Sequence, residues 1–133
     1  MMNVRFFDRQ DESNPCHGDS VADVNWLMAR IDELRQRPAS FCELQADNGF
    51  NLLLGVGQDR GCAQYSAADG SPPYLMLVDE NAASDQDYMD FLTANTDTPV
   101  SERYCAPIDR IKEVAKQFVV TGARSEQFMW EEI

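Results

Sequence analysis

The chain has 133 residues, with 23 Asp and Glu against 11 Lys and Arg, a formal net charge of −12. A field of that sign repels nucleic acid and anionic membrane and attracts basic partners. The length suits one domain with its own core, and 44% hydrophobic residues with only 7 Gly and 6 Pro exclude a disordered or fibrous chain.

No apolar run approaches the roughly 20 residues of a membrane-spanning helix. Met1 to Gln10 lacks the basic-then-apolar order of a signal peptide, so a cytoplasmic protein is expected. Residues 1–18 read as an irregular lead-in to a single α+β domain over 19–133. Arg9 to Gly18 is polar and carries the breakers Pro15 and Gly18, while Phe6 and Phe7 either form a short strand or pack on the domain edge. A helix follows. Asp19 or Ser20 stands where it can cap, with Asp23 three residues after Ser20. Val21, Val24, Leu27, Met28, Ile31 and Leu34 recur at helical spacing, Arg35 and Arg37 fall in the last turn, and Pro38 stops it. Trp26 lies off this stripe, as a flanking core residue or an interface aromatic.

The middle of the chain reads as a meander. Phe41–Ala46 and Phe50–Val56 flank Asp47-Asn48-Gly49, whose Asn-Gly is a strong hairpin signal. Cys62–Ser66 is the third strand. Pro73–Val78 is the fourth, its entry restricted by Pro72 and Pro73. An acidic stretch follows: Asp79, Glu80, Asp85, Asp87, Asp90, Asp97 and Glu102 have no Lys or Arg among them, although Tyr88, Met89, Phe91 and Leu92 lie within it. A strand is expected around Glu102–Cys105. Pro107 suits the first position of a helix whose apolar face is Ile108, Ile111, Val114, Ala115, Phe118 and Val119, with Gly122 as its C-cap. A short strand at Gln127–Glu132 ends the order. The whole argues an α+β fold, an antiparallel sheet meander with an N-terminal and a C-terminal helix packed on it.

Chemistry-bearing motifs are sparse. No two of Cys16, Cys42, Cys62 and Cys105 stand at C-x-x-C spacing, and His17 is the only histidine, so neither a metal site nor histidine catalysis is expected. The cysteines read as ordinary buried thiols. Gly55-Val56-Gly57 lacks the Lys and the following helix of a phosphate loop and reads as a turn. The acidic pairs Asp85/Asp87 and Glu131/Glu132 fit no calcium-loop pattern and read as solvated faces. Arg110, Lys112 and Lys116 alternate with Asp109 and Glu113 as helix-surface ion pairs do, not as a nucleic-acid patch.

A colinear set of short segments carries more information. It runs through Leu52-Leu53-Leu54-Gly55-Val56-Gly57, Gln64-Tyr65-Ser66, Pro72-Pro73-Tyr74-Leu75 and Arg103-Tyr104-Cys105-Ala106-Pro107-Ile108. It closes with Phe118-Val119-Val120-Thr121-Gly122-Ala123-Arg124-Ser125 and Trp130-Glu131-Glu132-Ile133. This ordered set resembles the first numbered family of immunity proteins of bacterial polymorphic toxin systems, often encoded beside deaminase-type toxins. The resemblance implies an α+β protein that binds and neutralises a cognate toxin domain, with no catalysis and no cofactor. Gly55, Gly57, Tyr65, Pro73, Tyr74, Pro107, Gly122 and Trp130 read as structural members of the motif, Trp130 as core or as interface contact.

Toxins that attack nucleic acid carry basic grooves, so an acidic protein can occupy the groove of a deaminase or nuclease domain. The interface candidates are Asp79, Glu80, Asp85, Asp87, Tyr88 and Asp90, with Glu131 and Glu132 as a second patch. No direct contact with nucleic acid or membrane is expected. The alternatives are an acidic adaptor for another basic domain and a small hydrolase working through two carboxylates.

Overall fold

A computed structural model describes residues 1–82 and 86–133. Among the described residues there are nine strands and two longer helices, and the fold is mixed α+β. The stretch expected as an irregular lead-in contains strand β1 (Val4–Asp8), in which Val4, Phe6 and Asp8 point inward and Arg5 and Phe7 outward. The backbone of residues 18–21 then pairs back on it: Gly18 donates to the Phe6 carbonyl, Phe6 to Asp19, and Val21 to Val4. Those groups are therefore spent on a sheet-like pairing, and helix α1 (Val24–Leu34) cannot open at Asp19 or Ser20. It opens after Asp23, whose carboxylate accepts from the Trp26 N–H at 2.7 Å.

Strands β2 (Ser40–Ala46), β3 (Phe50–Val56), β4 (Arg60–Ala67) and β5 (Leu75–Leu77) pair antiparallel in succession. Gly49, at φ +86°, makes the β2–β3 turn. Gly55 lies within a strand rather than at a turn, whereas Gly57 stands in the β3–β4 connection, its N–H donating to the Arg60 carbonyl at 2.9 Å. Neither has a positive φ; Gly55 sits inside β3 because a Cβ there would meet Cys62 Sγ at 2.5 Å and the Phe91 ring at 2.8 Å. A Cβ on Gly57 would meet Met89 Cε at 2.6 Å and the Arg60 carbonyl oxygen at 2.7 Å.

Half of the acidic stretch forms a hairpin, β6 (Tyr88–Thr93) and β7 (Thr96–Ser101). Its turn places both Ala94 (φ +48°) and Asn95 (φ +66°) in the left-handed region. The Gln10 side chain holds the tip, donating to Asn95 Oδ1 at 2.7 Å and accepting from the Asn95 N–H at 2.8 Å. The strand expected at Glu102–Cys105 is a 3-10 turn over Glu102–Tyr104, capped by Ser101 and closed by the Cys105 N–H on the Glu102 carbonyl. Strand β8 (Ala106–Pro107) leads into α2 (Ile108–Thr121), so Pro107 is the N-cap, one place before its expected position. Gly122, at φ +74°, ends the helix by donating to the Phe118 carbonyl. The final strand β9 (Trp130–Glu132) is shorter than expected.

The sheet order is β7-β6-β2-β3-β4-β5-β9, with β1 on β2 and β8 on β4. One junction departs from an all-antiparallel sheet: β6 meets β2 in parallel at Ser40 and Leu92. Strand β1 occupies the same edge of β2 from Cys42 onward, so β2 serves two neighbours in series. On one face, Leu44, Leu52, Leu54 and Leu77 share a core with Leu27 and Ile31 of α1 and Ile111, Val114 and Phe118 of α2. A second cluster, Phe41, Cys62, Met76, Phe91 and Cys105, lies on the opposite side of the strands.

Candidate functional site

The face of the sheet turned away from the helices carries the candidate site. Strand registers align one residue from each of six strands on it: Phe7 opposite Glu43, Glu43 opposite Leu53, Leu53 opposite Gln64, Gln64 opposite Met76, and Met76 opposite Glu131. Beside this row, Phe41, Gly55 and Cys62 form a second one, covered by Phe91 of the β6–β7 hairpin. The Phe41 and Phe91 rings lie 5.3 Å apart. The hairpin covers part of the second row, and beside it lies a groove of about 660 Å³ whose floor is Leu53, Gln64 and Met76 of the first row, with Phe41 and Cys62 of the second at its side. Leu53, Met76, Tyr88, Val100, Tyr104 and Ile133 give it a largely apolar lining.

Ion pairs bracket the floor. Arg9 binds Glu43 at one end and lies over the Phe7 ring. At the other, Glu131 takes Arg103 Nη2 at 2.6 Å and the Tyr104 hydroxyl at 2.9 Å. The Arg103 and Tyr104 hydrogen bonds hold the Glu131 carboxyl below its ordinary range. For Tyr104, burial first, and then the Glu131 contact, push the phenol up.

The sequence-expected acids separate into two groups. Asp79 is mostly buried and faces Arg110 at 3.6 Å, and Glu131 is held by Arg103, so neither is a free charge. Glu80, Asp87, Asp90 and Glu132 are exposed, and none of them joins an ion pair among the described residues. Asp85 lies outside the described residues. Tyr88 is 64% exposed and lines the groove. The groove's floor was missed in the sequence, because its members come one from each strand; the alternation within Phe41–Ala46 and Phe50–Val56 is the signal that could have found them.

The motif residues have local tasks. Tyr65 is buried between Phe50, stacked at 5.0 Å, and the edge of Phe118. The Tyr74 hydroxyl donates to the Gly70 carbonyl. Pro73 follows Pro72 through a cis peptide bond. Trp130 packs on the helix-side core and its indole N–H donates to the Ser125 carbonyl at 2.8 Å. Trp26 packs on the same core, edge-on to Phe6.

Among the described residues no group of three His, Cys, Asp or Glu is arranged to hold a metal ion, and no helix is long and apolar enough to cross a membrane. The buried thiols are poor nucleophiles. Burial pushes Cys42 up to about 12 and Cys105 up to about 11, and raises Cys62 as well.

No curated protein matches this sequence. The family model described as Immunity protein Imm1 matches residues 12–132, which takes in α1 as well as the segments from the first hairpin onward. A match over nearly the whole length makes the assignment plain: the chain belongs to the Imm1 family of immunity proteins, which act against bacterial toxins.

Proposed function

We infer that this immunity protein neutralises a basic, nucleic-acid-targeting toxin domain, a deaminase or a nuclease, by binding over its active site or substrate groove. The observation that carries the reading is the set of exposed acids without cationic partners, Glu80, Asp87, Asp90 and Glu132, on a chain of net charge −12. A toxin that grips phosphates presents Lys and Arg, and free carboxylates compete with the phosphates for them. The same charge speeds encounter, which matters for an inhibitor that must reach its target before the target acts. Inhibition then needs binding alone, without catalysis or cofactor.

The test is association kinetics with the toxin domain encoded beside this protein, inactivated at its catalytic centre. Reversing Glu80, Asp87, Asp90 and Glu132 to Lys slows association about tenfold or more at low salt and flattens its salt dependence. An unchanged association rate removes these acids from the interface. Absence of any complex with the unaltered protein overturns the reading itself.

A further inference from the structure

The groove and the free acids meet at the β6–β7 hairpin. Tyr88 lines the groove, and Asp87 and Asp90 flank Tyr88 and Met89 in the chain. The cations near the groove are already engaged: Arg9 by Glu43, and Arg103, next to the lining residue Tyr104, by Glu131. Their charge is cancelled in place, while that of Asp87 and Asp90 is not. The rim therefore attracts a cationic segment.

The floor selects something else. Leu53 and Met76 flank the Gln64 amide, and with Val100 they offer no strong hydrogen-bonding group of their own, so a charged group pressed onto them loses its water without compensation, and an apolar one gains. From Leu53 to Met76 the floor crosses two strand spacings, about 10 Å, enough to seat one large side chain. Apart from Met1, Tyr88 at 64% and Ile133 at 58% are the most exposed large apolar residues among those described, and both line this groove. Exposed carboxylates mainly set the rate of encounter, while residence depends on a few desolvated anchors, often aromatic.

We propose that the groove over Leu53 and Met76 is the anchor site of the toxin interface, and that it takes one aromatic or long aliphatic side chain from a toxin segment carrying Lys or Arg on either side. This rests on the proposed function and deepens it. The acids bring the basic segment to the rim, and the groove holds its apolar side chain.

The experiment uses the full chain and the inactivated toxin domain from the adjacent gene. Gln64→Trp fills the floor from its centre, and Tyr88→Ala removes an exposed wall; thermal melts confirm that each variant is folded. Both variants speed dissociation, by about tenfold or more, and leave the association rate and its salt slope within about twofold. Benzoylphenylalanine placed at position 64 crosslinks to an apolar residue with Lys or Arg within a few positions. Unchanged dissociation in both variants, with the unaltered protein still binding, overturns the anchor site and leaves the proposed function standing. A crosslink to an acidic or uncharged polar segment overturns the stated partner chemistry. If sedimentation shows the free protein to be a dimer that Gln64→Trp dissociates, a second copy fills the groove and the proposal falls. Failure of the unaltered protein to bind the toxin overturns both readings.

Discussion

Arg37 closes a two-point clamp on the buried carboxylate of Asp8, Nη1 to Oδ2 at 2.8 Å and Nη2 to Oδ1 at 2.7 Å. Asp8 ends β1, and its oxygens also accept from the Gln10 and Asp11 amides and from the Asn14 side chain. One carboxylate thus organises the loop that leads to Gln10 and, through it, the tip of the β6–β7 hairpin. Arg37→Ala strips two charged donors from a carboxylate with no exposed surface. It costs about 3 kcal/mol or more, read from urea unfolding, and amide exchange at residues 94 and 95 quickens.

The same clamp predicts an acid limb in the stability curve. Burial raises the Asp8 carboxyl, but the hydrogen bonds from Arg37, Asn14 and the Asp11 amide, with the Arg37 charge, outweigh it and hold the group below its ordinary range. A depressed folded value means the unfolded chain binds the proton more readily. The contribution is complete above about pH 5 and is lost as the pH falls through the ordinary carboxylate range toward the lower folded value. Unfolding free energy measured from pH 7 to pH 3 falls less steeply in Asp8→Asn than in the parent.

Gly61 shows a different constraint. A Cβ there would run into the Gly55 carbonyl oxygen across the β3–β4 pair, and would meet Ile111 Cγ1 at 3.2 Å. The obstacle is backbone and cannot rotate away. Gly61→Ala therefore destabilises by about 3 kcal/mol or more, and by more than Gly55→Ala, whose new methyl meets the side chains of Cys62 and Phe91. Chemical denaturation of the two variants checks the order.

Thiol chemistry should separate one cysteine from three. Cys42, Cys62 and Cys105 are buried, whereas Cys16 is half-exposed. Iodoacetamide at pH 8, followed by peptide mass spectrometry, labels Cys16 in the native protein and the other three only after denaturant is added.

Charge reversal also distinguishes the free acids from the engaged ones. Asp87→Lys and Asp90→Lys leave the melting temperature unchanged or raise it, because they relieve repulsion in a chain of net charge −12. Glu131→Lys lowers it, since it places a second cation against Arg103 and removes the acceptor of the Tyr104 hydroxyl. Differential scanning calorimetry at low salt reads the sign of each.

Strands β2 to β4 and helix α2 were legible in the sequence because their determinants are local. Asn48-Gly49 sets a turn, and Ile108 to Val119 repeats at the helical period. The start of α1 was misplaced because Ser20 and Val21 are drawn onto β1 by partners 15 to 17 residues away, which no capping pattern records. The β6–β7 hairpin was missed because its turn uses Ala94 at positive φ, a residue without turn preference, stabilised from outside by Gln10. Of the acidic interface candidates, Glu80, Asp87, Asp90 and Glu132 are exposed, whereas Asp79 and Glu131 are engaged by Arg110 and Arg103, a division that only long-range packing sets.

Sequence alone determined the charge, the α+β class and, through its ordered segments, the family, because each depends on composition or on residues near one another in the chain. Only the tertiary structure decided which acids remain free and where the groove lies. Strand register brings Glu43, Leu53, Gln64, Met76 and Glu131 into one row, and a hairpin packed by Phe91 against Phe41 limits how much of that face is covered. Both are long-range pairings, set by packing rather than by any local preference of the residues involved.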